Sequence, residues 1–362
     1  MSVPDTATPG AVRVAIVGAT GAVGTELRRL LDERDFPIDG HPVFLASERS
    51  AGSRLPWRDR EVEVQAISAQ AFEGIDIAIF SAGGSRSKEW GPVAAAAGAV
   101  VVDNSSAWRM DDGVPLVVSE VNPDAVTRRP RGIIANPNCT TMVLMVAAKP
   151  LHDALGLTDV VATSYQAAGG AGMSGMTELL EQTQKFVQQP EVLQLEGARA
   201  EAGVSAEVFS KALAFNVLAH CGSFTDERYT DEEWKLVNES RKILSLPALR
   251  MSPTCVRVPV LVGHAINARL TFTEPVRREA AMEALAAAPG LIIEDGIGKD
   301  GEALAYPTPL AAAGRDEVFV GRVREDLCDP YSLNLFVVGD NLLKGAALNA
   351  VQIAELVVSE RA

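Results

Sequence analysis

The stretch that most limits how this chain can fold is "VRVAIVGATGAVGTELRRLLDER", residues 12–34. A β-branched apolar run gives way to Gly18, Gly21 and Gly24, and then to a helical pattern that puts Leu27, Leu30 and Leu31 on one face. A strand that must turn within a few residues into a helix is the unit of a parallel sheet covered by helices. Glycines in that turn let backbone N–H groups approach an anion at the helix N-terminus, where the dipole favours negative charge. A glycine-rich turn without a ligand is the plainer reading. The flanking strand and helix favour a dinucleotide pyrophosphate instead, contacted at Gly18, Thr20, Gly21, Ala22 and Val23. The spacing is G-x-x-G-x-x-G, not G-x-G-x-x-G.

The runs "HPVFLAS", "IDIAIFSAG", "GAVVVDNSS", "VPLVVSEVN" and "GIIANPN" extend the pattern as short strands, with "RSKEWGPVAAAAG" as a helix between them. At the end of the second strand stand Ser47, Glu48, Arg49 and Ser50. Ser47, Arg49 and Ser50 suit the 2′-phosphate of NADP, and Glu48 keeps NAD open. After residue 138 the character changes to helices alternating with strands that have one apolar face. The expected architecture is α/β. A Rossmann-like dinucleotide-binding domain spans 1–138 and 341–362, and an α+β catalytic and dimerisation domain spans 139–340. The C-terminal helix returns to the first domain, and residues 1–11 are expected to be disordered.

Length and charge narrow the function. A chain of 362 residues has room for two cores, and a net charge of −14 leaves no basic stripe for nucleic acid. No apolar run is long enough for a membrane span and no secretion signal opens the chain, so a cytoplasmic protein is expected. Cys139, Cys221, Cys255 and Cys328 are widely separated, which argues against a metal site or a disulfide framework. Most such thiols are small buried hydrophobes. Cys139 differs because "GIIANPNCTTMVLM" places it where a strand ends and a helix begins, and the partial positive charge there favours a thiolate nucleophile. Among four histidines, His264 follows an apolar strand that also carries Arg257. A structural histidine is the commoner outcome for that setting; a proton shuttle for Cys139 requires that the two meet in space.

Taken together, "GATGAVG", "NSSAWRM", "NPNCTT", "SYQAAGGAG", "DEEWKLVNES", "RVPVLVGH" and "DNLLKGAALNAVQIAE" resemble the aspartate-β-semialdehyde dehydrogenases, in order and from residue 13 to the C-terminus. The related N-acetyl-γ-glutamyl-phosphate reductases, the alternative reading, have a cysteine neighbourhood closer to N-P-G-C-Y. The resemblance implies NADPH-dependent reductive dephosphorylation of L-β-aspartyl phosphate to aspartate semialdehyde, a step toward lysine, diaminopimelate, threonine and methionine. It implies Cys139 as nucleophile, His264 as acid/base and Gln166 as the residue positioning substrate or thioester. It further implies Arg257 on the substrate carboxylate, Arg109 and Lys235 on phosphate, and Glu232, or its neighbour Glu233, on the amino group. Asn138 joins the substrate site. Ala82, Gly83, Gly170 and Asn341 join the cofactor site. Glu48 departs from the small or basic residue usual there, and Ala219 from a more usual proline. A homodimer is the implied assembly, with small molecules as the other partners.

Overall fold

The computed structural model describes residues 10–299 and 301–361. The segment expected to be disordered lies, up to residue 9, outside the described residues. The chain divides into two compact units, Met1–Asn138 with Ala346–Ala362, and Cys139–Gly345. The return to the first unit thus falls at Ala346, where the sequence places it at 341. Asn341 accepts the N–H of Gly263, and Asp340 the N–H of Gly314, both at 2.8 Å, so this loop belongs to the second unit.

The first unit is a sheet of seven strands. In chain order these elements are β1 (Val14–Val17), α1 (Ala22–Glu33), β2 (Val43–Ala46), β3 (Arg54–Trp57), β4 (Arg60–Ala66), β5 (Ile77–Phe80), α2 (Gly84–Ala96), β6 (Val100–Asp103) and β7 (Ile133–Ala135). The sheet order is β3-β4-β2-β1-β5-β6-β7, and all pairs are parallel except β3 with β4. The chain moves from β1 to β2 on one side and later to β5 on the other. The carboxyl end of β1 is therefore the switch point where such sheets bind ligands. All of β1 and β5 is buried, as continuous Val/Ile/Ala/Phe runs require of strands covered on both faces. The C-terminal helix Leu348–Ser359 packs on α1 and β6, and Glu355 receives Arg34 through two bonds of 2.7 and 2.9 Å.

Two details depart from the sequence reading. "VPLVVSEVN" forms no strand; it makes a single bridge, Leu116 to Ala135. Asn122 turns the segment back, donating to the Leu116 carbonyl and accepting from Val118 N–H, both at 2.9 Å, so the valines are buried without a ladder. The antiparallel pair β3–β4 went unforeseen. It is mostly exposed; Trp57, Val62 and Val64 are its buried residues, and Trp57 meets Phe44 edge-on with ring centroids 6.4 Å apart.

The second unit contains α3 (Cys139–Leu155), β8 (Leu157–Gln166), α4 (Gly172–Phe186), α5 (Pro190–Leu195), α6 (Gly197–Ala202), α7 (Asp231–Ile243), β9 (Arg250–Arg257), β10 (His264–Phe272) and α8 (Arg278–Ala286). These are followed by β11 (Leu291–Ile293), a small hairpin of β12 (Gly296–Ile297) and β13 (Leu304–Ala305), α9 (Pro309–Ala312), β14 (Val318–Glu325) and β15 (Ser332–Gly339). Its six-stranded sheet runs β11-β14-β15-β10-β8-β9. Helices α3, α7 and α8 cover one face. On the other, Val161, Thr163, Tyr165, Asn267, Arg269, Asn334 and Phe336 are half-buried or exposed, in strict alternation with buried neighbours. No helix among the described residues is long and apolar enough to cross a membrane.

Candidate active site

In the second unit, register decides which side chains meet. Gln166 ends β8 directly beside Arg257, the last residue of the parallel strand β9. On the other side of β8, Ala265 pairs with Tyr165, so His264 at the start of β10 comes level with Gln166. Three polar residues from three strands thus share one row at one end of the sheet, all buried on the covered face. His264 also pairs with Gly339 of β15. A Cβ on Gly339 would stand 2.8 Å from Val143, so α3 lies tight on that position one turn beyond its start at Cys139. The first N–H groups of that helix place partial positive charge around the Cys139 sulfur.

A loop links the two ends of this arrangement. Gly345 lies so close to Cys139 that an added Cβ would be 2.8 Å from the cysteine's own Cβ. Gly345 lies in the short π-helix Leu343–Ala347; in the turn before it Asn341 holds the backbone of Gly263, next to His264, and its buried Nδ2 has no partner among the described residues. Asp340 accepts the N–H groups of Leu342 and Leu343 at 2.8 and 3.0 Å and fixes the loop's shape.

His264 is fully buried. Its Nδ1 accepts the Ala167 N–H at 3.0 Å, and Nε2 has no partner among the described residues. Burial first, and then the Arg257 charge, push the imidazole down to about 3, so the ring is neutral near neutrality. With Nδ1 occupied, its one proton is assigned by the hydrogen-bond network to Nε2. Arg257 donates Nη1 to the Ala167 carbonyl at 2.8 Å, and its guanidinium carbon sits 5.6 Å from the centre of the Phe209 ring. Its Nε is buried with no partner among the described residues, so that donor of the fork is unspent. Gly170 touches both groups: a Cβ there would be 2.9 Å from Arg257 Nη1 and 3.4 Å from His264 Nε2.

Helix α7 supplies the carboxylates and an ammonium, and a capping box orients it. Thr230 Oγ1 accepts the Glu233 N–H at 3.3 Å, and Glu233 Oε2 accepts the Thr230 N–H at 2.8 Å. The other Glu233 oxygen accepts the Cys255 N–H at 2.9 Å. Glu233 is therefore structural. Glu232 points the other way: it accepts Gln166 Nε2 at 3.3 Å and Lys235 Nζ at 3.2 Å. Lys235 also bonds Asp231 at 2.7 Å. Burial pulls this ammonium down, but Glu232 and Asp231 more than offset it and hold it above the usual lysine value.

In the first unit Gly18 has φ +90°, and a Cβ would stand 2.3 Å from the Ser81 carbonyl oxygen. Gly21 is the N-cap of α1 and no side chain caps the first turn. Gly83, with φ +85°, caps α2 in the same open way. Ser47 to Ser50 form a turn closed by the Ser50 N–H on the Ser47 carbonyl at 2.8 Å, and Arg49 is exposed there. An uncapped helix start on a glycine cradle and a guanidinium beyond the neighbouring strand fit a phosphorylated dinucleotide. Arg109 is buried and holds the carbonyls of Asn136 and Asn104, both at 2.9 Å, and Asn138 is buried nearby in sequence.

Residues 13–129 match the semialdehyde dehydrogenase NAD binding domain, and residues 148–344 match the semialdehyde dehydrogenase dimerisation domain. The aspartate-semialdehyde dehydrogenase of Streptomyces akiyoshiensis is 50% identical over 351 residues, covering 96% of this chain and 99% of that one. That of Aquifex aeolicus is 47% identical over 350 residues, covering 96% and 98%. This chain is an aspartate-semialdehyde dehydrogenase family member. The crystal structure of aspartate semialdehyde dehydrogenase II from Vibrio cholerae, complexed with ASA, superposes with a TM-score of 0.88 at 42% identity, covering 97% and 99% of the two chains.

Within this family member the row of Gln166, Arg257 and His264 lay in the sequence motifs, and so did Ser164, the first residue of "SYQAAGGAG". Ser164 accepts Gln166 Nε2 at 3.3 Å from two residues back on β8. Phe209 and Glu178 have no sequence signal that ties them to the site. Glu233 has one, because Thr230-x-x-Glu233 is a capping-box pattern.

Proposed function

We propose that this chain converts L-β-aspartyl phosphate to L-aspartate 4-semialdehyde, with NADPH as reductant and a thioester on Cys139 as intermediate. The row of Arg257, Gln166 and His264 beneath the N-terminal turn of α3 carries this reading. The Cys139 thiolate attacks the acyl carbon; the C–S bond forms, the C–O bond to phosphorus breaks, and phosphate leaves with the electron pair. When bound, NADPH supplies the hydride. Breaking the C–S bond then returns the thiolate and frees the aldehyde.

His264 gives a hydrogen bond from Nε2 to the oxygen that becomes negative in each addition. As an acid/base it first takes up a proton at Nδ1, which breaks the bond from the Ala167 N–H and which the arrival of anionic substrate favours by raising the ring's affinity for it. The unspent donor of Arg257 receives the α-carboxylate, Glu232 the ammonium, and Gln166, held by Glu232 and Ser164, orients the acyl group. Lys235 and Arg109 serve the phosphate, and Asn138 completes the substrate set. For the cofactor we assign Gly18, Thr20, Gly21, Ala22 and Val23 to the pyrophosphate, and Ser47, Arg49 and Ser50 to the 2′-phosphate. Ala82, Gly83, Gly170 and Asn341 make the remaining contacts.

The half-polar open face of the second unit's sheet supports a homodimer, as does the dimerisation-domain match. A reduced nucleophilic thiol suits the cytoplasm. The test follows NADPH formation from aspartate semialdehyde and NADP with and without inorganic phosphate, then with NAD. Phosphate-independent oxidation would remove the acyl phosphate from the reaction.

A further inference from the structure

The Arg257 guanidinium lies over an aromatic ring from an irregular segment. Phe209 lies in the loop 203–212, which has no helix or strand of its own. Its position comes from Glu178 on α4, whose buried carboxylate accepts three successive backbone N–H groups. Those of Glu207 and Val208 bond Oε2 at 2.8 Å each, and that of Phe209 bonds Oε1 at 3.3 Å. Gly175, one turn earlier on α4, makes room for the ring: a Cβ there would be 3.0 Å from Phe209 Cζ. The ring lies 5.6 Å from the Arg257 guanidinium carbon while the Ala167 carbonyl holds Nη1 at 2.8 Å. A ring contact and one hydrogen bond, from different directions, together restrain a planar group.

We propose that Phe209, held in place by Glu178, is a positioning residue for Arg257 that sets affinity for the carboxylate of the substrate. The inference rests on the reading of Arg257 given under the proposed function. A guanidinium restrained from two directions meets a carboxylate without losing rotamer freedom, so ring removal weakens binding of the carboxylate-bearing substrate and leaves the thiol chemistry alone. Glu178 acts one step further out, through the loop backbone.

The test measures NADP reduction by wild type, Phe209→Leu, Glu178→Gln and the double variant, varying semialdehyde, phosphate and NADP in turn. Phe209→Leu raises the KM for semialdehyde roughly 3- to 30-fold, the range of a desolvated cation–π contact, with kcat and the other two KM values within about twofold. Glu178→Gln gives the same selective rise, and the double variant is no worse than Phe209→Leu alone, because the two act in series. In an Arg257→Lys background, Phe209→Leu adds less than about twofold. Unchanged semialdehyde KM in both single variants, or an equal loss for all three substrates, overturns the proposal; Glu178→Gln keeps it testable should Phe209→Leu fail to fold. A wild-type enzyme inactive on semialdehyde with phosphate would overturn the acyl-phosphate reading itself, and this inference with it.

Discussion

The backbone N–H of Ala167 bonds Nδ1 of His264 at 3.0 Å, while the carbonyl of the same residue holds Arg257. One residue, immediately after the end of β8, thereby fixes the tautomer of the imidazole and the direction of the guanidinium. It also ties the protonation of a buried ring to folding.

That tie has a sign. Burial pushes His264 down from 6.5 to about 3, so between these values the unfolded chain binds the extra proton and the folded one does not. Stability from the neutral ring is fully present above about pH 6.5 and is lost as pH falls toward the folded value, by up to about 1.4 kcal/mol per pH unit. His264→Gln removes this contribution, so the variant's deficit relative to wild type shrinks as pH is lowered from about 7 to about 5. Urea midpoints across that range check it; a constant difference would show that the ring titrates normally.

Neighbouring acids on α7 have opposite fates. Glu233 spends its oxygens on the Thr230 and Cys255 N–H groups, whereas Glu232 faces Gln166 and Lys235. Glu233→Gln is expected to cost about 1–2 kcal/mol of stability, the value of a cap and a charged acceptor, with a modest kinetic effect. Glu232→Gln should leave the melting temperature nearly unchanged and raise the KM for semialdehyde about tenfold or more, since a charge-assisted bond to an ammonium is lost. The reverse pattern would exchange their roles.

What the sequence disclosed depended on whether position followed from local pattern. Cys139 at a helix start and Gly18 in a tight turn sit where local pattern puts them. Arg257 and His264 do not, because the apolar run between them, read as strand, is the connection 258–263 from β9 to β10, and register then brings the two beside Gln166. Phe209 could not be found that way. It is placed by a carboxylate 31 residues away, through backbone bonds that any residue could make. The valines of 114–118 mimic a strand because burial alone makes them apolar, and only Asn122 distinguishes the turn. The β3–β4 pair hid for the opposite reason, carrying charged side chains on an exposed edge.

Gly18 tests the cradle. At φ +90°, with the Ser81 oxygen 2.3 Å from a built Cβ, alanine is strained and also collides with backbone that cannot swing away. Gly18→Ala is expected to lose about 2–4 kcal/mol of stability and to weaken NADP binding, because β1, β5 and the start of α1 must separate. Urea unfolding and titration of NADP into the folded variant measure both; wild-type affinity would detach the turn from the cofactor.

Gly170 tests the substrate end by the same reasoning with a different outcome. Its missing side chain faces only side-chain atoms, Arg257 Nη1 at 2.9 Å and the His264 ring at 3.3 and 3.4 Å. Those atoms can shift, so Gly170→Ala should keep stability within about 1 kcal/mol of wild type. The shift would displace the two groups on which carboxylate recognition and oxyanion stabilisation depend, and kcat/KM should fall by about tenfold to a hundredfold. Steady-state kinetics beside a thermal melt separates the two effects. Full activity in the alanine variant would mean that neither group needs the position the glycine allows, which would leave Arg257 and His264 without their assigned roles.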